Sequence, residues 1–427
     1  MSYIPSLREV ALPAPRADGP AARHPDRAWT QQGRGADVGL QGRSLFSGLR
    51  LWRRATRPRL ERVYWYSLKP LLALGLILWY TPRLALAVRR RFGVPIAEQV
   101  AAQCRLAFRE WVNPRCYYFH EHYRRRGAPD VDGYVMRHEI KEGLLKSLHK
   151  LQPKVHGARI NLGHKLDFAE ACADFGLPTP EILAYARRGK VIVGDGVSLE
   201  QDLFVKPEQG RGAMGARHFV AERGSPVDIA RRLKQIARAS WLTPRIVQPL
   251  LQNHPELADL AGQSLVTIRV FTCIDAADRP VVTHGMLRSI GKLEPDWPTG
   301  EEFAAPIDLA SGRLGRMCGD SRFGPDDRSD HHPMTGAPVA GRAVPFWPAI
   351  HALARAAHRL FADRILVGWD IALTPQGPVL LEGNSYPDTE FLQRVHDQPI
   401  GASPLGPLLS YHLDRLEHLR GRFWSEL

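Results

Sequence analysis

The sequence predicts an α+β protein in which strands and helices alternate behind a helical region and a basic arm. Three observations carry this reading. Residues 365–384, ILVGWDIALTPQGPVLLEGN, read as two apolar strands joined by a tight turn. Lys206 lies in a strand just ahead of a glycine-rich loop, and a second strand-like segment follows that loop. Residues 61–160 carry helical spacing of apolar side chains and no strand–helix–strand unit. A chain of 427 residues can bury a large core and form two or three subdomains.

The charge is unevenly spread. Residues 1–126 hold 23 of the 58 Lys and Arg but only 8 of the 44 Asp and Glu, so the net charge of +14 belongs to the first third. Residues 1–60 are rich in Pro, Gly, Ala and Arg without periodicity, which predicts a disordered basic arm. Such an arm suits an anionic surface or is a solvated tail. No apolar core follows the start closely enough for a signal peptide. The five cysteines, Cys104, Cys116, Cys172, Cys273 and Cys318, are odd in number and scattered, which predicts reduced thiols in a cytoplasmic protein.

Residues 71–80 and 84–88 form an apolar run interrupted by Pro82 and Arg83. The unbroken part is shorter than the roughly 20 residues a bilayer requires. Basic flanks (Arg53, Arg54, Arg57, Arg59 and Arg62, then 89–91) and aromatic ends (Trp65, Tyr66, Trp79, Tyr80) leave three readings open: a helix in a membrane interface, a core helix, or a span. Between 98 and 150 aromatic and basic residues interleave at helical spacing, which favours a packed amphipathic helix over a nucleic-acid surface. A helix is expected from Lys165 to Gly176, and others over 227–239, 347–361 and 408–419. Strands are expected over 182–186, 191–193, 202–206, after Gly212, and over 245–250, 264–274 and 280–289. Residues 291–345 read as loop-rich in Gly, Pro and Asp, and His331 and His332 within them as solvated.

In the hairpin, Pro375, Gln376 and Gly377 form a three-residue turn. Pairing Thr374 with Pro378 sets Asp370 opposite Glu382 and puts Asn384 on the same face, with Ile371, Leu373, Val379 and Leu381 on the other. Two neighbouring carboxylates repel unless a cation lies between them, and oxygen ligands with an amide suit Mg²⁺. A core hairpin with two salt-bridged acids is the alternative. The loop Gly210-x-Gly212-x-x-Gly215 bridges strands and does not open a helix, so it reads as a flap and not as a dinucleotide fingerprint. Protein kinases also use such a flap, but their lysine follows it. Glycines let backbone N–H groups approach phosphate oxygens, and Lys206 adds a point charge.

Lys165 at a helix start, Lys206 ahead of the flap and the acid–acid–amide hairpin resemble, in order and spacing, the ATP-grasp superfamily. More narrowly, IVQPLLQNHPEL, SLVTIRVFT and GWDIALTPQGPVLLEGN resemble its sugar-transfer-associated family. The resemblance covers roughly 161–384. It implies an ATP-grasp fold of two α+β subdomains, at 161–250 and 251–400, behind a helical region at 61–160 and ahead of a C-terminal helix at 401–427. It implies that Lys165 and Lys206 contact ATP phosphates beneath a lid of Gly210, Gly212, Met214 and Gly215. Gln248, Leu250 and Leu251 would read adenine and Glu256 the ribose. Arg269 and Arg288 would hold the γ-phosphate or an acyl phosphate. Asp370, Glu382 and Asn384 would bind two Mg²⁺ ions, with Glu382 shared. Two departures concern the acceptor: the helical 61–160 region stands where relatives carry a Rossmann-like domain, and GKLEPDWPTGEEFAAPIDLASG lacks an expected Asp-Asn and paired glycines.

The implied reaction is carboxylate activation by ATP followed by attack of an amine or other nucleophile, on a small-molecule or sugar-linked carboxylate in cell-surface polysaccharide synthesis. A small-molecule kinase and a non-catalytic nucleotide-binding scaffold are the alternatives. The expected setting is the cytoplasm, at the inner face of a membrane touched through residues 50–93, with no specific nucleic acid.

Overall fold

The computed structural model describes residues 68–110, 112–124, 133–136, 145–152, 162–210, 215–222, 225–261, 264–290, 302–319 and 328–425. The arm expected over 1–60, and Gly212 and Met214 of the flap, lie outside them.

The first helix, α1 (Lys69–Phe92), runs straight through Pro82, where the sequence suggested an interruption. Proline removes an N–H and disturbs the carbonyls one turn back. Here Arg83 compensates: its guanidinium stacks 3.6 Å over the Trp79 ring and donates to the Trp79 carbonyl at 2.5 Å. Packing does the rest. Leu84 and Val88 enter an apolar cluster with Leu106, Val112, Tyr117, Tyr118 and Tyr123, and Gln103 donates to the Thr81 hydroxyl at 3.0 Å. The helix ends at Gly93, whose left-handed φ of 71° and N–H to the Arg89 carbonyl form a helix stop. Then comes α2 (Ile96–Cys104), which passes into a π-helical turn at Arg105–Arg109. The aromatic residues Tyr117, Tyr118 and Tyr123 are buried, as packed helices require.

A small antiparallel sheet follows α3 (Lys165–Asp174). It holds β1 (Ala184–Arg187), β2 (Lys190–Val193), β3 (Leu203–Pro207), β4 (Arg217–Phe219) and β5 (Arg245–Pro249), in the order β2-β1-β5-β3-β4. Helix α4 (Pro226–Ala239) starts with a Ser225 cap and Pro226 in its first turn, and lays Ile229, Leu233 and Ile236 over Ala184, Leu203, Val205 and Val247. The other face of this sheet carries Tyr185, Phe204, Lys206 and Gln248, because side chains alternate along a strand.

The large antiparallel sheet contains β6 (Thr267–Ile274), β7 (Pro280–Ile290), β8 (Glu302–Ile307), β9 (Cys318–Gly319), β10 (Leu366–Thr374) and β11 (Gly377–Asn384), in the order β11-β10-β6-β7-β8-β9. Helix α5 (Trp347–Leu360) covers one face, packing Ile350, Ala354 and Ala357 with Ile268, Val270, Leu287, Trp369 and Ile371. The Trp347 ring reaches Gly285, where a Cβ would come within 2.7 Å of it. Helices α6 (Thr389–His396) and α7 (Leu405–Ser425) cover the opposite face, together with Phe119, Val135, Leu145 and Leu148 from the helical region. They bury only the end that carries Phe271, Cys273, Met286 and Leu366. Farther along that same face the residues turn polar.

Three expectations need correction. The 291–345 segment is not all loop, since β8 and β9 lie within it. His332 is buried and shares a hydrogen bond with the Ser289 hydroxyl at 3.0 Å, whereas His331 is exposed. The hairpin turn is two residues long: Thr374 pairs with Gly377 and Leu373 with Pro378. That shift by one would move every later side chain to the wrong face. A bulge between Asp370 and Ile371 takes up the extra residue, so Asp370 still faces Glu382. The core residue of β11 is consequently Leu380, while Val379 and Leu381 are only partly buried.

Candidate active site

The polar end of the large sheet gathers residues from five adjacent strands. Asp370 of β10 sits between Glu382 of β11 and Arg269 of β6. Arg269 grips Asp370 with both arms of its guanidinium: Nε donates to Oδ1 at 2.6 Å, and Nη2 to Oδ2. Arg288 of β7 donates Nη1 to Oδ1 of Asp370 at 3.2 Å and Nε to Glu302 of β8. Asn384 lies with Nδ2 3.5 Å from Asp370 Oδ2 and 3.4 Å from Glu382 Oε1. Burial alone would push the Asp370 carboxyl up, but Arg269 and Arg288 outweigh it and hold it at about 2. Burial likewise disfavours the Arg288 charge, and Glu302 and Asp370 more than restore it.

Two lysines approach from the other unit. Desolvation draws Lys206 of β3 down to about 8; Glu382 and Asp370 oppose that fall and Lys165 reinforces it. These couplings put the Lys206 ammonium within electrostatic reach of both hairpin acids. Lys165 opens α3, and its ammonium donates to the Gly210 carbonyl at 3.0 Å, tying the helix to the start of the flap. Its charge is disfavoured by burial and supported by Glu382 and Glu208. Gly210 (φ 139°) and Gly215 (φ 73°) both hold conformations that favour glycine, so the two ends of the flap need these residues. Arg245 donates to the Gly215 carbonyl and anchors its far end.

Other expected residues sit farther out. The side chain of Gln248 is buried and donates to the Pro180 carbonyl at 3.2 Å. The Leu250 amide is taken by the Asp202 carbonyl at 2.9 Å, and Leu251 beyond it is half-buried. Glu256 is exposed on the 3₁₀ turn Pro255–Leu260, and its carbonyl accepts from Arg342 at 3.2 Å. It does not join the arginine–carboxylate group.

Several site residues escaped the sequence reading. Glu302 was hidden because its strand was taken for a loop. Glu208 pairs with His164 at 3.2 Å, and its carbonyl accepts from the Lys165 amide at 3.3 Å. Its place two residues after Lys206 was the available signal. The third is His149 from the helical region. It takes the Ile365 N–H on Nδ1 at 3.0 Å, so its Nε2 carries the proton and donates to the Ser385 carbonyl at 3.0 Å, next to Asn384. The same Arg364–Ile365 peptide is held from its other side. His358 donates Nε2 to the Arg364 carbonyl at 2.8 Å, and its Nδ1 meets the Thr272 hydroxyl at 2.6 Å, which accepts from Trp369 at 2.7 Å. A chain of bonds with one polarity thus runs from beside Asp370 to beside Asn384.

The donor set can be weighed for a cation. Among the described residues no three His, Cys, Asp or Glu side chains cluster as metal ligands, so a cation here would rely on two carboxylates and an amide. Oδ1 of Asp370 already accepts two N–H groups, whereas Oδ2 accepts one close bond. Oδ2, the Glu382 carboxylate and the Asn384 amide, turned so that its oxygen points inward, form an all-oxygen set suited to Mg²⁺.

Two units, each a sheet with helices, thus face one another with lysines on one and a carboxylate hairpin on the other. The profile of the sugar-transfer associated ATP-grasp family matches residues 150–401. The chain belongs to that family. Its fold is the α+β ATP-grasp fold, preceded by a helical region. A search of curated proteins finds no match. Among solved structures, the chain is similar to D-alanine–D-alanine ligase from Bacillus anthracis complexed with ATP, at 12% identity and a TM-score of 0.34, covering 62% of this chain and 68% of that one. It is also similar to L-amino acid ligase from Bacillus licheniformis, at 12% identity and a TM-score of 0.37, over 59% of this chain and about half (48%) of that one. N5-carboxyaminoimidazole synthase from Aspergillus clavatus, in complex with ADP and 5-aminoimidazole ribonucleotide, scores 0.33 at 14% identity, over 64% and 60%. Scores this low carry no argument beyond the family match.

Proposed function

We propose that this ATP-grasp protein is an ATP- and Mg²⁺-dependent ligase that activates a carboxylate as an acyl phosphate. The observation that carries the reading is Asp370, gripped by Arg269 and Arg288 and set opposite Glu382, within electrostatic reach of Lys206 of the small sheet. In the proposed reaction a substrate carboxylate oxygen attacks the γ-phosphorus of ATP and ADP leaves. An amine or other nucleophile then attacks the acyl carbon, its proton is lost to solvent or base, and phosphate leaves. Phosphoryl transfer demands mainly positioning and neutralisation of charge. Lys165 and Lys206 would hold the phosphates, with the glycine flap as their cover. Gln248, Leu250, Leu251 and Glu256 are the proposed nucleoside side of the pocket. The guanidinium edges of Arg269 and Arg288 not spent on Asp370 and Glu302 would face the transferred phosphoryl group. Asp370, Glu382 and Asn384 would hold Mg²⁺, whose contribution is to neutralise the phosphate oxygens. The family's association with sugar transfer supports a sugar-linked carboxylate as substrate.

The test is nucleotide binding with and without Mg²⁺, in the wild type and in Glu382→Ala. The wild type should bind ATP far more tightly with Mg²⁺, and the variant should lose that difference; equal, Mg²⁺-independent binding by both overturns the reading. Hydroxylamine trapping then separates ligase from kinase, since only an acyl phosphate gives a hydroxamate.

We also propose a peripheral membrane contact through α1, at the cytoplasmic face. Leu71 is 65% exposed, Leu78 73% and Trp79 55%, with Arg83, Arg89 and Arg90 exposed beyond them. Along α1 Ala73, Ile77, Leu84, Ala85 and Val88 are buried, so its exposed apolar surface is a stripe made chiefly by Leu71, Leu72, Leu74, Leu78 and Trp79. By length and composition the 24-residue helix could cross a bilayer, but a helix with one face buried in the protein and an apolar stripe beside exposed arginines favours lying in the interface. Replacing Leu71 and Leu78 with Asp should weaken co-sedimentation with vesicles at least severalfold, and unchanged sedimentation overturns this contact.

A further inference from the structure

A second exposed apolar feature lies on the small sheet, away from α1. The tip of the β1–β2 hairpin and the loop after α4 are bound together. Arg188 donates its amide to the Ser240 carbonyl at 3.1 Å, and Gly189 donates to the Ser240 hydroxyl at 3.1 Å. The turn residues Arg188 (φ 51°) and Gly189 (φ 76°) are both left-handed, the geometry that closes a two-residue hairpin. Trp241 rests on this turn so closely that a Cβ at Gly189 would lie 2.7 Å from its ring. The indole is nevertheless 67% exposed, and Leu242 beside it is 98% exposed. Near them Arg187, Arg188, Lys190 and Arg238 are all exposed, with Arg187 also bonded to the Tyr185 hydroxyl, which meets Glu208 on its other side. Neither 182–194 nor 229–245, the segments that form this tip, contains an Asp or Glu.

We infer that this tip is a membrane-docking point, with Trp241 and Leu242 entering the interface of an anionic phospholipid bilayer and Arg187, Arg188, Lys190 and Arg238 pairing with its headgroups. Three features select this occupant. A fully projecting leucine gains from hydrocarbon and gains nothing from a nucleic-acid backbone. Tryptophan favours the boundary between headgroups and acyl chains. Exposed cations on segments that carry no acid of their own are complementary to an anionic surface, each cation strengthening attachment severalfold. The turn holds the indole in place beforehand, so little ordering is needed on contact. The inference stands whether or not the ligase reading is correct.

The test places a nitrobenzoxadiazole label on Leu242→Cys, a position where substitution disturbs no packing. The natural cysteines compete little, since four are buried and Cys104 is half-buried. Unsubstituted protein treated with the dye supplies the background. The expected result is a blue-shifted, brighter emission on vesicles of phosphatidylcholine with phosphatidylserine, and water-like emission on phosphatidylcholine alone. High salt should reverse the shift. Arg188→Glu with Lys190→Glu should weaken vesicle binding read by this probe by at least about tenfold. The probe reports its own surroundings, so attachment through α1 cannot imitate the result. Water-like emission in the presence of anionic vesicles overturns the inference, whether or not the protein sediments with them. So does a shift of equal size on neutral vesicles, or one seen only on adding another protein.

Discussion

Asp370 shows what the site demands of single residues. Its carboxylate is buried and survives because Arg269 and Arg288 surround it. Breaking a buried pair from one side leaves a stranded charge, which costs about 3–5 kcal/mol. Arg269→Leu should therefore destabilise the protein by about that much in urea titrations, and adding Asp370→Asn should recover part of the loss. Lys206 makes the opposite case. Its charge is disfavoured in the fold, with a folded value of about 8 against an ordinary 10.5. Between these values the unfolded chain binds more protons, so this residue's contribution to stability improves as pH rises through that window. Its contribution to phosphate binding does the reverse, because the ammonium is lost. ATP affinity should fall as pH passes about 8, and Lys206→Arg should flatten the profile in isothermal titrations.

At the scale of elements, the β10–β11 hairpin decides whether a site exists at all. A two-residue turn alone would send Glu382 away from Asp370; the bulge brings it back. Deleting Leu381 straightens the ladder but leaves Glu382 next after Leu380 and still opposite Asp370, so Mg²⁺-dependent ATP binding should survive the deletion as it survives Leu381→Ala; its loss in the deletion alone would show that the bulge itself, and not the pairing, shapes the site. The strand ends are tied down from outside the hairpin by His149. His149→Leu strands the Ile365 N–H and the Ser385 carbonyl, each loss costing about 1–3 kcal/mol. Its expected signature is a raised Mg²⁺ requirement for nucleotide binding, beyond the drop in melting temperature. His149→Gln, which can still donate to Ser385, should suffer less.

At the scale of the whole molecule, deeply set histidines govern acid stability, His284 among them, whose charge burial disfavours strongly. His149, His358, His396 and His412 are each held by burial to about 4, from an ordinary 6.5. Between those values the unfolded chain takes up protons that the folded one refuses, so stability falls as pH drops through that window. The slope has an upper limit of about 1.4 kcal/mol per pH unit for each imidazole. Chemical denaturation at pH 7 and pH 5 should show a large loss, and replacing His412 with Asn should lessen it. A ligand that bridges the two sheets stabilises by mass action, by about 2.7 kcal/mol at a hundredfold excess over its dissociation constant. Mg²⁺ with ATP should accordingly raise the melting temperature well above ATP alone.

Much of this protein could be read along the chain because the chemistry lies in local patterns. The pairing of Asp370 with Glu382, Lys206 ahead of its flap, and Lys165 at a helix start are all set by neighbours within some twenty residues, where strand alternation, turn residues and helix starts act. What sequence could not supply came from partners far apart. Arg83 offsets Pro82 only because the body grips the helix beyond it. Arg269 grips Asp370 from 101 positions away, and His149 reaches Ser385 from 236. Trp241 and Leu242 read as ordinary apolar residues until the fold leaves them in water. Local backbone preference chooses elements, but burial and long-range pairing decide which charges must be met and which greasy side chains remain uncovered.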